Sequence, residues 1–293
     1  MAAVGIVGIG TMGSRFGAKL AESGFKVFGY DSLPDNAERN RAANIVRRDS
    51  LAELAGEAGR IVLFLPGPAE IRASVLGPDG LLAHLPKGGV IVDMCTSDPD
   101  NTMDMAAAAA QAGVRYLDAP VLGRPDSIGK WGLPVGGEAE TLEECLEFLR
   151  PVAEQIVHIG PSGSGHKVKL LNQLMFGAIN AMTAEMMALA EKTGIAPAKL
   201  SEIIVGSHAS TVSGLFRELG ARVASGHYRD PAFTVALLNK DVRLGMEMAE
   251  KAGAALVVGS AVDHLNRLAM AQGQGKLDTA IMWECVKRRW RDH

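Results

Sequence analysis

Short apolar, β-branched runs alternate with helical patterns over the first half of the chain, whereas the second half reads as helix almost throughout. A run entering Gly8 predicts the first strand, and a helical pattern follows through Ala21 to a stop at Ser23-Gly24. Lys26 to Tyr30 and Asn44 to Arg47 predict the next strands, and Ser50 is placed to cap a helix running through Ala58. Ile61 to Leu65 and Val90 to Met94 are apolar without alternation, the pattern of strands buried on both faces; they end at Pro66-Gly67-Pro68 and Cys95-Thr96-Ser97. An alanine-rich helix is expected over Asp100 to Gln111, a strand over Val114 to Val121, and an antiparallel extension of the sheet at Leu133 to Gly136. A helix over Glu138 to Leu149 and a strand over Gln155 to Ile159 complete the alternation. Repeated units of this kind build an α/β domain around a doubly wound sheet, whose ligands sit outside the carboxyl ends of the strands.

Gly160-Pro161-Ser162-Gly163 marks the boundary, so the expected domains are 1–162 and 163–293. Beyond it the pattern breaks only at Gly194, Gly206, Gly226 to Pro231, Gly253 and Gly273-Gln274-Gly275, which predicts an all-α domain. A long interdomain helix is expected from Val168 to about Thr193. Its Leu170, Leu171, Leu174, Met175, Ile179, Met182, Met186 and Met187 make more than one apolar stripe. A helix apolar on most sides is buried on most sides, so the methionines read as core, packed against the first domain and a second subunit. A homodimer or homotetramer through the helical domain is the expected assembly.

Gly8, Gly10 and Gly13 form a G-x-G-x-x-G between the first strand and its helix. In a Rossmann-type dinucleotide fold such glycines allow a tight turn, close approach of a pyrophosphate, and close packing of helix on strand. Ile9, Thr11 and Met12 lie within the same loop, whose helix N-terminus offers free N–H groups to phosphate. The second strand ends in Asp31, 18 residues beyond Gly13 and close to the spacing of a carboxylate that holds the adenosine ribose. A 2′-phosphate would meet Asp31 as a like charge costing about 4 kcal/mol at about 4 Å and an effective dielectric near 20, so NAD is expected over NADP. Arg39 and Arg41 would soften this preference if either folded toward the ribose. Leu65, Pro66 and Thr96 end later strands and are further cofactor candidates; Thr96 also reads as a capping hydroxyl, a role compatible with a cofactor contact.

The 293 residues are 47% hydrophobic and 22% charged with a net charge of -3, which suits a globular protein and points away from nucleic acid. The basic cluster Lys287, Arg288, Arg289 and Arg291 complements the carbonyl end of a last helix. No apolar run is long enough for a membrane span, and the N-terminus reads as a strand, not a signal peptide. Cys95, Cys145 and Cys285 have neither metal-like nor redox-like spacing, which fits a reducing cytoplasm, and the scattered histidines give no metal site. Cys95 reads as a small buried residue, since no base stands near it in sequence.

Lys169, Asn172 and Gln173 share one helix face at i, i+3 and i+4, just after Gly163 and Gly165. A lysine beside two amides suits a grip on a polar substrate; a solvated helix lysine is the alternative. Four motifs together resemble the β-hydroxyacid dehydrogenase family, of the 3-hydroxyisobutyrate dehydrogenase type. They are Gly8 to Gly13, Asp118-Ala119-Pro120-Val121-Leu122-Gly123-Arg124, Gly163-x-Gly165 with Lys169 and Asn172, and Lys240-Asp241-Val242-Arg243-Leu244. The resemblance runs in order along essentially the whole chain. It implies an NAD-dependent oxidoreductase acting on a small acidic substrate, with Lys169 catalytic, Asn172 a substrate ligand and Lys240 near the nicotinamide. Thr96, Leu122, Gly123, Arg124 and Gln173 fall on its substrate positions, and Leu65, Pro66 and Thr96 on cofactor contacts.

Three positions depart from the family pattern. Leu122 replaces a serine, Arg124 a glycine and Gln173 an asparagine. Losing a hydroxyl and gaining a guanidinium changes which anion binds, because arginine grips carboxylate, sulfonate or phosphate with paired hydrogen bonds. Arg124 therefore reads as recognising a second acidic group or a larger anion on the substrate, against the alternatives of solvent or the cofactor pyrophosphate. In the implied reaction neutral Lys169 takes the hydroxyl proton in oxidation, and its ammonium protonates the alkoxide in reduction. An ordinary lysine titrates near about 10.4, so burial and Lys240 are expected to bring it lower. The rival readings are a reductase of an imine or a sulfonated aldehyde, and a non-catalytic NAD-binding scaffold, whose mark would be loss of the lysine. A 6-phosphogluconate dehydrogenase would need a longer helical domain.

Overall fold

A computed structural model describes residues 3–33, 41, 43–207 and 213–289. Arg39 and Arg291, invoked above, lie outside the described residues; Arg41 is exposed. Two compact units divide the chain at Lys169/Leu170.

The first unit is built on an eight-stranded sheet: β1 (Ala3–Val7), β2 (Lys26–Tyr30), β3 (Val46–Arg47), β4 (Arg60–Leu63), β5 (Val90–Asp93), β6 (Arg115–Asp118), β7 (Trp131–Gly136) and β8 (Ala153–Gly160), in the order β3-β2-β1-β4-β5-β6-β7-β8. Neighbours are parallel except β6 and β7, so the expected antiparallel extension is present, and β8 pairs with β7 in parallel. The winding reverses between β1 and β4, which makes the crevice outside their carboxyl ends the place where such sheets take ligands. Successive side chains feed opposite faces. Ile6, Val62 and Val92 enter one core cluster with Phe16, Leu20 and Trp131. Val7, Ile61, Leu63 and Ile91 enter another with Phe28, Leu54 and Met105. This two-sided burial is why the strands read as unbroken apolar runs.

The helices of this unit are α1 (Thr11–Glu22), α2 (Leu51–Glu57), α3 (Pro68–Leu76), α4 (Leu81–His84), α5 (Pro99–Gln111) and α6 (Ala139–Leu149). Ser50 caps α2 by accepting from Glu53 N at 3.1 Å. Helices α3 and α4 were not expected. Pro68, read as the end of a strand, stands in the first turn of α3, where a missing N–H costs nothing. The cap of α5 is Asp98, which accepts from Asp100 N, so Thr96 is not the capping residue.

Helix α7 (Ser164–Lys192) starts in the first unit and continues into the second. Its 29 residues span about 44 Å at 1.5 Å per residue, and it begins before the expected Val168 because Gly163, at φ +91°, turns the chain directly into it. The second unit continues with α8 (Pro197–Gly206), α9 (Gly214–Ser225), α10 (Val235–Lys251), α11 (Val257–Ala271) and α12 (Met282–Arg289). Its larger core gathers Met187, Phe216, Leu219, Val235, Ala269 and Cys285. Met187 is buried in this core, whereas Met175 and Met182, expected to pack against the first domain and a second subunit, are 63% and 60% exposed in the single chain. Leu171 and Leu189 are exposed on the same helix. No helix among the described residues is long and apolar enough to cross a membrane.

Candidate active site

In the first unit the expected cofactor residues lie at the carboxyl ends of neighbouring strands. Gly8 follows β1 with φ +92°, and a Cβ there would stand 2.1 Å from the Phe64 carbonyl oxygen beyond β4. A Cβ at Gly13 would stand 2.0 Å from the Gly8 carbonyl, so these two glycines are required by packing alone. Gly10 differs, because a Cβ there meets nothing within 4 Å. It is the N-cap of α1 and provides no side-chain cap, so the first-turn N–H groups around Thr11 and Met12 open onto unfilled space. That is the cradle a pyrophosphate needs, and the loop fits the dinucleotide that the motif implies.

Asp31 ends β2 and is already engaged: Oδ2 accepts from Ile9 N at 2.6 Å and Oδ1 from Leu33 N at 2.8 Å. Through the Ile9 bond Asp31 braces the glycine loop. The Ile9 side chain is wholly buried in the core, so its part in the loop is its backbone. Leu65 N donates to Cys95 Sγ at 3.0 Å, tying the loops after β4 and β5 together, and Cys95 is buried. Pro66 is exposed and Thr96 half-buried at this same edge.

The loop after β6 is held by backbone. Leu122 bridges Gly132 with hydrogen bonds of 2.8 and 2.9 Å. Gly123 has no room for a side chain, since a Cβ would stand 2.6 Å from Trp131 Cδ1. The Arg124 carbonyl accepts from Ser127 Oγ at 2.9 Å and from Trp131 Nε1 at 2.8 Å. Lys169 Nζ, half-buried, donates to the Val121 carbonyl at 2.8 Å. The expected catalytic lysine is therefore over the segment expected to hold substrate.

Asp118 belongs to that segment by sequence, yet it faces inward. It is wholly buried, and Oδ1 accepts from Gly163 N at 2.8 Å while Oδ2 accepts from His166 N at 2.9 Å. Around it lie groups that sequence reasoning missed. Asp93 pairs with Asp118 across β5 and β6, and Tyr116 donates to Asp93 Oδ2 at 2.8 Å. His166 Nδ1 lies 2.6 Å from Thr102 Oγ1, and its ring nitrogens are 4.0 Å from Asp93 and from Asp118. Burial, ahead of the neighbouring Asp93, pushes the Tyr116 hydroxyl well above its usual value and keeps it a donor. Burial likewise raises the Asp118 carboxyl, opposed by His166 and the two N–H groups. Two acidic residues ending adjacent apolar strands were the visible signal.

In the second unit, Asn172 is exposed and its Nδ2 donates to Gln173 Oε1 at 3.2 Å. Gln173, expected as a substrate ligand, is instead buried, with Nε2 donating to Asp241 Oδ2 at 2.5 Å. The other oxygen of Asp241 pairs with Lys240 Nζ at 2.8 Å. The longer amide at 173 thus reaches a buried carboxylate, and the chain Asn172–Gln173–Asp241–Lys240 sets the two outer side chains.

Residues 3–160 match the NAD binding domain of 6-phosphogluconate dehydrogenase, and residues 163–286 match the NAD-binding of NADP-dependent 3-hydroxyisobutyrate dehydrogenase. The chain belongs to the β-hydroxyacid dehydrogenase family. The first half of this family member is an NAD-binding domain. Among relatives, 2-(hydroxymethyl)glutarate dehydrogenase of Eubacterium barkeri is 28% identical over 286 residues, 96% of this chain and 94% of that protein. NAD-dependent L-serine dehydrogenase of Pseudomonas aeruginosa is 27% identical over 288 residues, 96% of this chain and 97% of that one. The crystal structure of 3-hydroxyisobutyrate dehydrogenase from Salmonella typhimurium superposes with a TM-score of 0.90 at 26% identity, covering 97% of this chain and 99% of that chain.

Proposed function

We propose that the chain transfers a hydride between NAD(H) and a small β-hydroxy acid or its semialdehyde, with Lys169 as general acid and base. The observation that carries this reading is the 2.8 Å bond from Lys169 Nζ to the Val121 carbonyl, at the ligand-binding edge of the sheet. NAD, when bound, supplies the hydride acceptor, and NADH the donor. The chain's own residues orient substrate and move the proton. The Val121 carbonyl fixes the position of the amine that meets the substrate hydroxyl. In oxidation the neutral amine takes the hydroxyl proton; in reduction the ammonium returns it, so oxidation quickens toward alkaline pH. Asn172, on the same side of α7, offers amide atoms to the substrate carboxylate. The Asp241 pairing of Gln173 holds that amide in place.

Arg124 would take a second acidic group on the substrate, in keeping with the relative named for a glutarate, a dicarboxylate. The Asp31 carboxylate supports NAD over NADP by like-charge repulsion of a 2′-phosphate. The exposed Leu171, Met175, Met182 and Leu189 recur at the spacing of a helix-pairing seam and suit contact with a second copy of the chain.

The deciding assay is NADH consumption with methylmalonate, tartronate, succinic and sulfonated semialdehydes, with Lys169→Ala as control. Turnover of one substrate, reduced about 100-fold to 10,000-fold in Lys169→Ala at unchanged melting temperature, is expected. Equal activity in the variant removes the lysine from the mechanism. An unchanged KM for every acidic substrate in Arg124→Gly removes the second-anion reading.

A further inference from the structure

Asp118 spends both carboxylate oxygens on backbone, on the N–H groups of Gly163 and His166. Those groups open helix α7, where the first N–H groups have no intrahelical acceptor and the helix dipole favours negative charge. The cradle around the carboxylate is tight. A Cβ at Gly136 would stand 2.5 Å from Asp118 Oδ1, and one at Gly165 would stand 2.6 Å from the Asp118 carbonyl and 2.5 Å from that of Pro134.

Lys169 follows His166 at i+3 on α7, and Val121 follows Asp118 by the same step along the loop. One side chain therefore joins the strand end that leads to the Val121 carbonyl with the helix turn that leads to the Lys169 amine. His166 braces that turn sideways through Thr102, whose hydroxyl also lies 3.1 Å from the Asp98 carbonyl on the entry to α5. Burying a carboxylate is costly. A cap serving stability alone would cost less at the surface.

We propose that Asp118 is the positioning residue of Lys169, with His166 and Thr102 bracing the same helical turn. The assignment rests on Lys169 as the proton carrier.

The test reads the lysine directly and then the reaction. Lysines are reductively methylated with ¹³C, and the Lys169 signal is assigned by its loss in Lys169→Arg. The signal is compared in the wild type, in Asp118→Asn, in His166→Gln, and in Val75→Ala, a core truncation in helix α3. The Lys169 resonance and its titration midpoint are expected to move in Asp118→Asn, to move less in His166→Gln, and to stay in Val75→Ala. On unlabelled protein, kcat for semialdehyde reduction should fall by about 100-fold in Asp118→Asn while the NADH dissociation constant is unchanged. An unmoved Lys169 signal in Asp118→Asn, or a kcat loss no larger than in Val75→Ala, overturns the proposal. Should Asp118→Asn fail to fold, an unmoved signal in His166→Gln overturns it equally. Full activity in Lys169→Arg, beside a moved signal in Asp118→Asn, would sink the general-base reading and leave the placement of Lys169 by Asp118 standing.

Discussion

Gly10 and Gly13 belong to one motif, yet the structure assigns them separate tasks that a pair of substitutions can part. A methyl group at Gly13 lands 2.0 Å from the Gly8 carbonyl, a backbone atom, so α1 must shift off β1. Overpacking of this kind costs about 1–3 kcal/mol. A methyl at Gly10 meets nothing within 4 Å, and Gly10 has an extended backbone, φ -73° and ψ -158°, that alanine also adopts. Gly10→Ala should therefore change stability by less than about 1 kcal/mol, the scale of a glycine-to-alanine exchange at a compatible site. Its cost should appear in binding, because the methyl fills the space in front of the first-turn N–H groups. Losing one hydrogen bond to a charged phosphate is worth about 1.5–3 kcal/mol, or about tenfold to about 100-fold in the dissociation constant. Fluorescence titration with NADH gives the affinity, and urea unfolding the stability. Wild-type affinity in Gly10→Ala would show that no pyrophosphate lies there. A stability loss in Gly10→Ala equal to that in Gly13→Ala would show that the cradle is not open.

The Asp118 carboxyl titrates above its ordinary value of 3.8 in the folded chain, so the folded state binds its proton more tightly than the unfolded state. Its contribution to stability is fully present below the unfolded value and is lost as pH rises through the folded one. The stability of the wild type relative to Asp118→Asn, by urea unfolding at stepped pH, should therefore fall as pH rises from about 3.9 toward neutrality. A difference that grows over that range refutes the burial argument, with His166, Asp93 and Tyr116 as the groups facing the carboxyl. For the exposed stripe on α7, Met175→Glu with Met182→Glu should shift the mass by light scattering from oligomer to monomer. A wild type that is monomeric, or a variant of unchanged mass, removes the second-copy reading.

The glycine loop was readable from residues alone because its chemistry is local: a turn, a helix start and a carboxylate one strand away fall within about thirty residues in any dinucleotide fold. Strands β4 and β5 were readable because burial on both faces leaves apolar runs with no polar interruption. Helix α3 was not, since Pro68 ends a strand pattern as readily as it starts a helix. What covers Met175 and Met182 was not readable, because an apolar side chain does not say whether its own chain or another covers it.

By itself the sequence determined the winding of the sheet, the dinucleotide loop, the placing of Lys169 and Asn172 on one helix face, and the family. Only the tertiary structure decided what the buried polar residues do. Asp118 reaches Gly163 and His166 across 45 and 48 residues, His166 reaches Thr102 across 64, and Gln173 reaches Asp241 across 68. Local periodicity reports whether a residue faces inward. Which partner satisfies a buried carboxylate or amide depends on which distant backbone or side chain the fold brings within about 3 Å.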